Sequence, residues 1–379
     1  MSSKKILINA IASKMGGAST YLKNLVKELE KADSVNQYII YIPSEQAGKI
    51  ISEKIKIRLV NYGEGSYLRR IWWDQIGIRK IIKKEKIDIL FSVANFATFF
   101  CPVKQLLLIR GYLYSMPYLK KIILPKFSFK KRIMFCLKQF LIYFSAKAAD
   151  LVMFPSKSMS EDFEKLYKIP KRKIVINHYG TYLDKFAGYN QKKEIKNKKI
   201  YKLLYCAMYT ECKNFFTLFL TLNLLKKQNI NFQLITPAIF SKKTSTYKGD
   251  KELLDNLPIK NNIIFTGKIP YEKIDKLYKE ADIFLWPTLT ESFGHPLVEA
   301  MASGLPIIAS DIPINREICK DAALYFDPLD YEDLADKIKL LIENFKLRRD
   351  LEEKSFQRSK FFDWRDHVKR LLQVLERTS

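Results

Sequence analysis

The sequence predicts an α/β fold of two domains, each built around a parallel sheet. In both halves of the chain, short apolar runs alternate with longer amphipathic segments, which is the pattern of strand–helix–strand units. The 379 residues are enough for two domains with complete hydrophobic cores. Because parallel sheets bind ligands at the carboxyl ends of their strands, we expect the two domains to face each other across a cleft.

The clearest strand–helix–strand unit begins at Ala281 with the sequence ADIFLWPTLTESFGHPLVEAMASGLPIIAS. Ala281–Pro287 and Leu305–Ala309 are short apolar runs typical of buried strands. Between them, Pro296 suits the first position of a helix, and Gly304 suits the residue that follows its end. The loop before this helix should therefore lie at a ligand-binding edge of the sheet.

Packing does not account for two carboxylates in this unit. Glu291 lies in the loop, and Glu299 lies inside the helix between apolar residues. An ionised group in apolar surroundings is costly unless something pairs with it, so the two residues indicate a ligand site. The alternative is that Glu291 is a solvated loop residue and that Glu299 interacts only with the helix dipole.

The text ESFGHPLVE followed by AMASGLPIIAS resembles the signature of the retaining nucleotide-sugar glycosyltransferases of family 4, also called glycosyl transferases group 1. The resemblance implies the GT-B fold, in which two Rossmann-like α/β domains face each other across a cleft and a C-terminal helix crosses back to the first domain. It implies that Glu291 contacts the donor sugar and that Glu299 holds the nucleotide ribose. The loop backbone would face the sugar and phosphates at Ser292, Phe293, Gly294, His295 and Leu297.

A second part of the donor site is expected at the turn TECKN, which follows the expected strand Leu203–Met208. The family usually has an arginine here, then four residues and a lysine, and the two cations hold the donor diphosphate. By resemblance, Lys213 stabilises the leaving group, since a cation placed opposite developing charge contributes strongly to catalysis. Met208 stands where the arginine is expected. Another cation, such as one from the first domain, would have to replace it.

Glycines at two other strand ends extend the predicted donor site. Gly16 and Gly17 lie between the strand Lys5–Asn9 and the amphipathic helix Ala18–Leu29, where the backbone can approach a phosphate. A plain turn explains such a pair equally well, but it resembles the family's glycine pair, which lines the donor diphosphate and the acceptor. Gly267 resembles the family's loop near the nucleotide base.

Arg110 and Asn95 lie at expected strand ends of the first domain, facing the cleft. Many relatives carry a His or Asp near the transferred sugar in these loops, and this chain has neither at a matching place. Arg110 could contact a phosphate of the donor or the acceptor, and a surface role is an equal alternative.

Residues 118–147 interleave lysines with aromatic residues, and from about Phe129 they predict a helix. A basic amphipathic helix is typical of contact with an anionic membrane surface. The alternative is an ordinary domain helix with one buried face.

The remaining elements follow from the same alternation. Expected strands are Gln37–Pro43, Lys56–Asn61, Ile87–Val93, Lys104–Arg110, Leu151–Pro155, Lys173–Asn177, Asn231–Thr236 and Asn262–Thr266. A helix over Arg69–Lys84 is expected to place both Trp72 and Trp73 in the core.

Composition limits the class of protein. The 66 Lys and Arg residues against 40 Asp and Glu give a formal charge of +26, which suggests an acidic partner, although a bias toward Lys explains part of it. The five scattered cysteines argue against a disulfide framework or a zinc site. We find no metal-binding motif, no signal peptide and no apolar run of ~18 residues. We expect a cytoplasmic protein, or one that is peripheral on the inner face of the cell membrane.

The expected domains are residues 1–184, with the last helix (362–379) packed on them, and residues 185–361. The resemblance implies metal-independent transfer of a hexose, with retention and without a cofactor, from a UDP- or GDP-sugar to a hydroxyl of a glycan or lipid-linked glycan. The expected process is the synthesis of cell-surface polysaccharide or lipopolysaccharide. The alternatives are a sugar-nucleotide epimerase or phosphorylase, or a non-catalytic relative, which Met208 suggests. A nucleic-acid-binding protein is a further alternative, but we find no recognition motif for one and expect no nucleic-acid partner.

Overall fold

Both halves of the chain fold around parallel sheets in the computed structural model, which describes residues 3–14, 16–61, 67–111, 116–186, 200–242 and 244–378. The chain divides into two compact units. The first comprises Met1–Tyr114, Ile133–Gly180 and Trp364–Ser379, and the second comprises Ser115–Arg132 and Thr181–Asp363. The predicted two-domain α/β class is confirmed.

The first sheet has seven strands in the order β3-β2-β1-β4-β5-β6-β7. Every neighbouring pair is parallel, as the short apolar runs predicted. The strand order reverses between β1 and β4, and such a reversal is where doubly wound sheets bind ligands. The strands are β1 (Lys5–Asn9), β2 (Gln37–Pro43), β3 (Lys56–Val60), β4 (Ile89–Ser92), β5 (Lys104–Leu108), β6 (Leu151–Phe154) and β7 (Ile174–Ile176).

The second sheet has six parallel strands in the order β10-β9-β8-β11-β12-β13. Its order reverses between β8 and β11, so a second ligand-binding edge is expected at their carboxyl ends. The strands are β8 (Tyr201–Leu204), β9 (Phe232–Thr236), β10 (Ile263–Phe265), β11 (Ile283–Trp286), β12 (Ile307–Ser310) and β13 (Ala323–Phe326).

Helices connect the strands of each sheet. The first group is α1 (Gly17–Ala32), α2 (Tyr67–Trp72), α3 (Ile78–Glu85), α4 (Phe129–Ala148), α5 (Lys157–Leu166), α6 (Leu183–Phe186) and α7 (Phe215–Lys227). The second group is α8 (Tyr247–Asn256), α9 (Asp275–Glu280), α10 (His295–Ala302), α11 (Pro313–Cys319), α12 (Tyr331–Glu343), α13 (Phe345–Ser359) and α14 (Trp364–Arg377). The last helix, α14, belongs to the first unit and packs against α1. Across the described ranges, no helix combines the length and apolar character needed to cross a bilayer.

The segment around the paired tryptophans differs from the single helix that the sequence indicated. A π-helical turn, Trp73–Gly77, separates α2 from α3. Trp73 packs against the core cluster of the first sheet, but Trp72 is half exposed, so placing both tryptophans in the core was wrong. A π turn holds one residue more than an α turn, and it therefore rotates the preceding side chains away from the buried face.

Residues 116–132 group with the second unit, although the sequence placed them within a first domain of residues 1–184. They form a π-helical turn, Leu119–Ile123, followed by the 3-10 turn Leu124–Lys126, and the apolar side chains at 119, 123 and 124 are buried. The π-helical turn packs against the one-turn helix Glu211–Lys213. Residues 116–132 belong to the second unit because their apolar side chains are buried there. The order of residues in the sequence does not indicate this.

Candidate active site

The carboxyl ends of β8 and β11 carry the two segments that the sequence singled out. The chain leaves β8 into the turn Glu211–Lys213, and it leaves β11 into the loop that precedes α10. The backbone N–H of Leu289 donates to the carbonyl of Cys212 at 2.9 Å and ties the loop to the turn. Both segments therefore meet at the point where the strand order reverses.

Lys213 and Glu291 form an ion pair at this point, in which Lys213 Nζ donates to Glu291 Oε1. Their side chains are only 12% and 11% exposed. Lys213 Nζ also lies 4.4 Å from the ring centroid of Trp286, a cation–π contact. The two residues predicted to act on the donor are thus brought together across 78 positions of sequence.

The turn that carries Lys213 is held on both sides. The Tyr205 hydroxyl donates to the carbonyl of Lys213 at 2.6 Å. Asn214 has a left-handed backbone (φ 52°) and donates through its buried side chain to the carbonyl of Pro328 at 2.7 Å. These contacts hold the backbone of the turn from which the Lys213 side chain extends.

The loop before α10 places backbone groups at the site and side chains in the core. Gly294 has φ 87°, and a Cβ there would lie 3.3 Å from Leu297 Cδ1, so the position favours glycine. Phe293 and Leu297 are buried, and Phe293 packs against His295 and Phe362. The expected ligand contacts at Phe293 and Leu297 could therefore come only from the backbone, as the resemblance implied.

Glu299 is buried in α10, and the Tyr278 hydroxyl donates to its Oε2 at 2.7 Å. Burial raises the pKa of this carboxyl to about 7, against the hydrogen bond from Tyr278 and the attraction of Lys185. The sequence predicted that burying the Glu299 carboxylate would cost free energy unless it had a partner. That partner is the neutral phenol of Tyr278. A carboxyl that titrates near neutral pH is typical of functional sites.

Gly267 follows β10, the edge strand of the second sheet, and has φ 69°. An added Cβ would meet no atom within 4 Å, so backbone conformation, rather than protein packing, favours glycine there. Open space next to this backbone is compatible with the close approach of a ligand.

The other predicted residues lie in the first unit. Gly16 has φ 60° and precedes α1, whose first turn contains neither a capping side chain nor an acid. Gly17 is the first residue of α1. Asn95 Oδ1 accepts the backbone N–H groups of Arg110 and Gly111 at 2.7 and 2.8 Å, so these residues share one corner of the fold.

Two family models match consecutive parts of the chain. The model of Glycosyltransferase Family 4 matches residues 15–185, and the model of Glycosyl transferases group 1 matches residues 189–358. The chain belongs to family 4 of the GT-B glycosyltransferases. The GT-B fold expected from the loop motif is therefore confirmed.

Curated relatives match this chain over part of their length. The O-antigen chain mannosyltransferase RfbU of Salmonella typhimurium is 27% identical over 201 residues, 53% of each chain. The O-antigen chain mannosyltransferase B of Escherichia coli is 30% identical over 102 residues, 27% of each chain. The matched region thus spans about half of the first relative and about a quarter of the second.

Solved structures match over nearly the whole chain. Sucrose-phosphate synthase of Thermosynechococcus elongatus has a TM-score of 0.78 and 16% identity, covering 99% of this chain and 98% of that one. HepE of Anabaena in complex with UDP-glucose has a TM-score of 0.73 and 15% identity, covering 98% of this chain and 99% of that one. At these identities the similarity shows the fold alone.

At position 208, where the family's arginine is expected, the chain has Met208, which is 56% exposed. The cation found beside this turn is Lys131, which pairs with Glu211. Glu211 also accepts the backbone N–H and the hydroxyl of Ser245 at 3.0 and 2.8 Å. Burial raises the pKa of Glu211, but the hydrogen bonds from Lys131 and Ser245 outweigh burial and lower it to about 2. The sequence assigned Lys131 to the membrane-facing helix, and no local signal pairs it with a residue 80 positions away.

Four further polar side chains, one at the end of β11 and three in the segments that follow β8 and β11, were not found by sequence reasoning. Within the described residues, their buried polar atoms have no hydrogen-bond partner. They are Trp286 Nε1 and the hydroxyl oxygens of Thr210, Thr288 and Thr290. Buried polar atoms are rarely unpaired, and a group of them beside Lys213 and Glu291 in sequence is expected where a polar ligand binds. Separately, no cluster of three or more His, Cys, Asp or Glu side chains suited to a metal ion occurs in the described part of the chain.

Proposed function

We propose that this chain transfers a hexose from a UDP- or GDP-sugar to a hydroxyl of a glycan or lipid-linked glycan, in the synthesis of cell-surface polysaccharide or lipopolysaccharide. The observation that carries the proposal is the nearly buried Lys213–Glu291 pair at the strand-order reversal of the second sheet. The O-antigen mannosyltransferase relatives support the process, and the UDP-glucose complex of HepE supports a nucleotide sugar as the donor.

The proposed reaction breaks the bond between the sugar anomeric carbon and the β-phosphate oxygen and forms a bond to the acceptor oxygen. Negative charge develops on the departing diphosphate, and Lys213 stabilises it without a metal ion. Glu291 orients the sugar hydroxyls and does not act as a nucleophile. The acceptor proton passes to the β-phosphate oxygen, so leaving group and acceptor share one face of the sugar and the configuration is retained.

Donor binding would exchange the partners of the ion pair. Without donor, Lys213 and Glu291 neutralise each other. In the complex, the donor diphosphate would pair with the Lys213 ammonium, and the sugar hydroxyls would donate hydrogen bonds to the Glu291 carboxylate. Each side chain would therefore keep a hydrogen-bonding partner. Glu299, in the same unit, would accept hydrogen bonds from the ribose hydroxyls in its ionised form.

The test is release of nucleoside diphosphate from a panel of nucleotide sugars, with and without glycan acceptors. Lys213→Met and Glu291→Gln should each lower turnover at least about 100-fold. Lys251→Met and Glu280→Gln, which break exposed ion pairs in the same unit, are the matched controls and should stay within about twofold. Unchanged turnover in Lys213→Met or Glu291→Gln would contradict the role of that residue.

The products separate the alternatives. An epimerase would interconvert donor sugars without releasing nucleoside diphosphate, and a phosphorylase would require free phosphate. A non-catalytic relative would bind donor without turnover. Salt-sensitive binding of DNA without any effect of nucleotide sugars would favour a nucleic-acid-binding protein.

We also propose that α4 attaches the protein to an anionic membrane surface, on the inner face of the cell membrane. Five of its apolar side chains are between 38% and 78% exposed: Phe129, Ile133, Leu137, Phe140 and Phe144. Their spacing of three and four residues puts them on one face of the helix. This exposed stripe distinguishes α4 from a helix whose whole apolar face is buried.

The charge around this stripe favours a lipid surface as its partner. Between Asp88 and Asp150 the sequence contains no acidic residue but ten lysines and arginines. Exposed cations beside an apolar stripe match anionic headgroups above acyl chains. Lys131 is set apart from this surface because it pairs with Glu211, whereas Lys130 and Lys121 are exposed.

Sedimentation with lipid vesicles tests the attachment. Wild-type protein should bind vesicles of phosphatidylcholine with phosphatidylglycerol more strongly than vesicles of phosphatidylcholine alone. Leu137→Glu with Phe140→Glu should weaken binding at least about tenfold. Leu59→Glu, at an exposed apolar position of β3, is the matched control. Equal binding by the double variant and the control would refute the attachment.

A further inference from the structure

A surface cleft of about 420 Å³ lies at the amino ends of β5, β6 and β7, within the first unit. Its volume falls in the range of small-molecule sites, roughly 300–1,000 Å³. Doubly wound sheets bind their substrates at the carboxyl ends of the strands, so this cleft is at the opposite edge of the first sheet from Asn95 and Arg110. Charged side chains make up most of its lining: Lys104, Asp150, Arg172, Lys173 and Arg377.

The carboxylate in this lining is already paired within the protein. Asp150 Oδ1 accepts a hydrogen bond from Lys104 Nζ at 3.0 Å, and Asp150 Oδ2 accepts the backbone N–H of Gln105 at 2.8 Å. The negative charge of Asp150 is therefore offset by Lys104, and the other cations of the lining leave the cleft positive.

Arg172 and Arg377 supply the cations that are available to a ligand. Arg172 belongs to the 3-10 turn before β7, and Arg377 is the last residue of α14, so the fold brings them together from distant parts of the sequence. Both are exposed, and within the described residues neither side chain forms a hydrogen bond or an ion pair. Like charges that converge repel each other, and a cleft lined mainly by one sign of charge concentrates counter-ions. Arginine suits phosphate in particular, because its guanidinium can donate two parallel hydrogen bonds to the oxygens.

The cleft adjoins the C-terminal end of α4, the helix proposed to contact the membrane. Lys173 Nζ donates to the carbonyls of Lys147 and Ala149 at 3.0 and 2.7 Å, which joins the lining of the cleft to the end of this helix. Phe144, about one turn before the helix ends, belongs to the exposed apolar stripe. A helix that places its apolar stripe among acyl chains lies at the level of the headgroups, so headgroup phosphates would be the anions closest to this cleft.

We propose that Arg172 and Arg377 bind the phosphate of an anionic lipid headgroup in this cleft. This headgroup site rests on the proposed membrane attachment through α4, and it goes beyond a general attraction between opposite charges. Neither arginine is assigned a part in the transfer reaction.

The test is sedimentation of the full chain with vesicles of phosphatidylcholine and phosphatidylglycerol at constant ionic strength. The double variant Arg172→Met with Arg377→Met should bind at least about tenfold more weakly than wild type, and Arg172→Lys with Arg377→Lys should bind with intermediate affinity. The matched control is Lys56→Met with Arg58→Met, which removes two exposed cations of β3, the strand at the other edge of the sheet. Asp150→Asn removes negative charge from the lining and should strengthen binding. Thermal unfolding should show that the exposed substitutions leave the fold intact.

The outcomes separate this site from the attachment through α4. Equal vesicle binding by Arg172→Met with Arg377→Met and by the β3 control would overturn the headgroup site. If Leu137→Glu with Phe140→Glu still weakens binding in that case, the attachment through α4 stands. No binding of these vesicles by wild type would contradict both proposals.

A titration with inorganic phosphate separates a lipid headgroup from a soluble phosphate. If phosphate raises the thermal midpoint of wild type but not that of Arg172→Met with Arg377→Met, and both proteins bind vesicles equally, the cleft takes a soluble anion and the proposal is wrong. Release of nucleoside diphosphate from a soluble donor tests the transfer reaction independently of either result.

Discussion

Lys213 and Glu291 are 78 residues apart and share one ion pair at the carboxyl ends of β8 and β11. Each was assigned to the donor from its own local motif, and the fold makes them neighbours. The pair is nearly buried, so separating the two side chains without a new partner for each would cost free energy.

Breaking this pair should destabilise the free protein. Glu291→Gln leaves the Lys213 ammonium without a counter-ion, and we expect the free energy of unfolding to fall by about 2 kcal/mol. The double variant Lys213→Met with Glu291→Gln should regain part of that loss. Urea unfolding of both single variants and the double variant measures the coupling. Additive effects would show that the pair does not contribute to stability.

Glu299 should make both stability and donor binding depend on pH. Burial raises its pKa from 4.5 to about 7, so its contribution to stability is complete below about pH 4.5 and is lost as pH rises through about 7. Glu299→Gln has no carboxyl to titrate and does not lose this stability. Its free energy of unfolding relative to wild type should therefore rise by up to roughly 3 kcal/mol between about pH 4.5 and about pH 7.

The ribose role of Glu299 requires the ionised form, so UDP or GDP affinity should increase from about pH 6 to about pH 8 in wild type. Glu299→Gln should bind nucleotide more weakly and show a flat profile. Titration calorimetry at several pH values measures both. A wild-type profile that Glu299→Gln reproduces would exclude this carboxyl as the titrating group.

Gly294 should be intolerant of a side chain. Gly294→Ala introduces a Cβ at φ 87° and next to Leu297, and we expect a loss of about 1–3 kcal/mol in stability together with reduced turnover. Gly249→Ala is the control, because Gly249 lies in α8 with open space around it and should gain about 0.5–1 kcal/mol. Thermal unfolding and nucleoside diphosphate release measure the two effects, and equal stabilities of the two variants would contradict this account.

The ion pair between Lys131 and Glu211 should stabilise the packing of the turns at 119–126 against the turn Glu211–Lys213. Lys131→Met removes the pair with Glu211, and amide hydrogen exchange at 119–126 should become severalfold faster. The effect should not be larger, because Lys131 is 41% exposed and solvent screens the pair. Lys130→Met, one residue away and exposed, should leave the exchange rates unchanged. Equal acceleration in both variants would show that the pair does not fasten these turns.

Local patterns in the sequence located the strands, although the strand expected at Leu203–Met208 is shifted to Tyr201–Leu204 (β8). The expected strand Ala281–Pro287 contains β11, and α10 begins beside Pro296 and ends before Gly304, as expected. These features depend on burial, backbone conformation and helix capping, which are properties of a few consecutive residues. The turn that carries Lys213 is the next helical element after β8, as the sequence indicated.

Features that depend on distant contacts were not predictable. The hydrogen bond from Tyr278 to Glu299 and the placement of residues 116–132 in the second unit join residues that no period or spacing relates. The π turn at Trp73–Gly77 interrupts a helix without a glycine or proline at its start, so the periodicity of the segment still indicated one helix. The sequence gives no sign that Trp286 Nε1 lacks a hydrogen-bond partner, because Trp286 follows the apolar pattern of its strand.

The most direct measurement is a crystal structure of the chain with a nucleotide sugar that wild-type protein binds. We expect Lys213 Nζ within hydrogen-bond distance of a β-phosphate oxygen, and Glu291 separated from Lys213 and bound to sugar hydroxyls. A diphosphate bound elsewhere, with the Lys213–Glu291 pair intact, would contradict the proposed function.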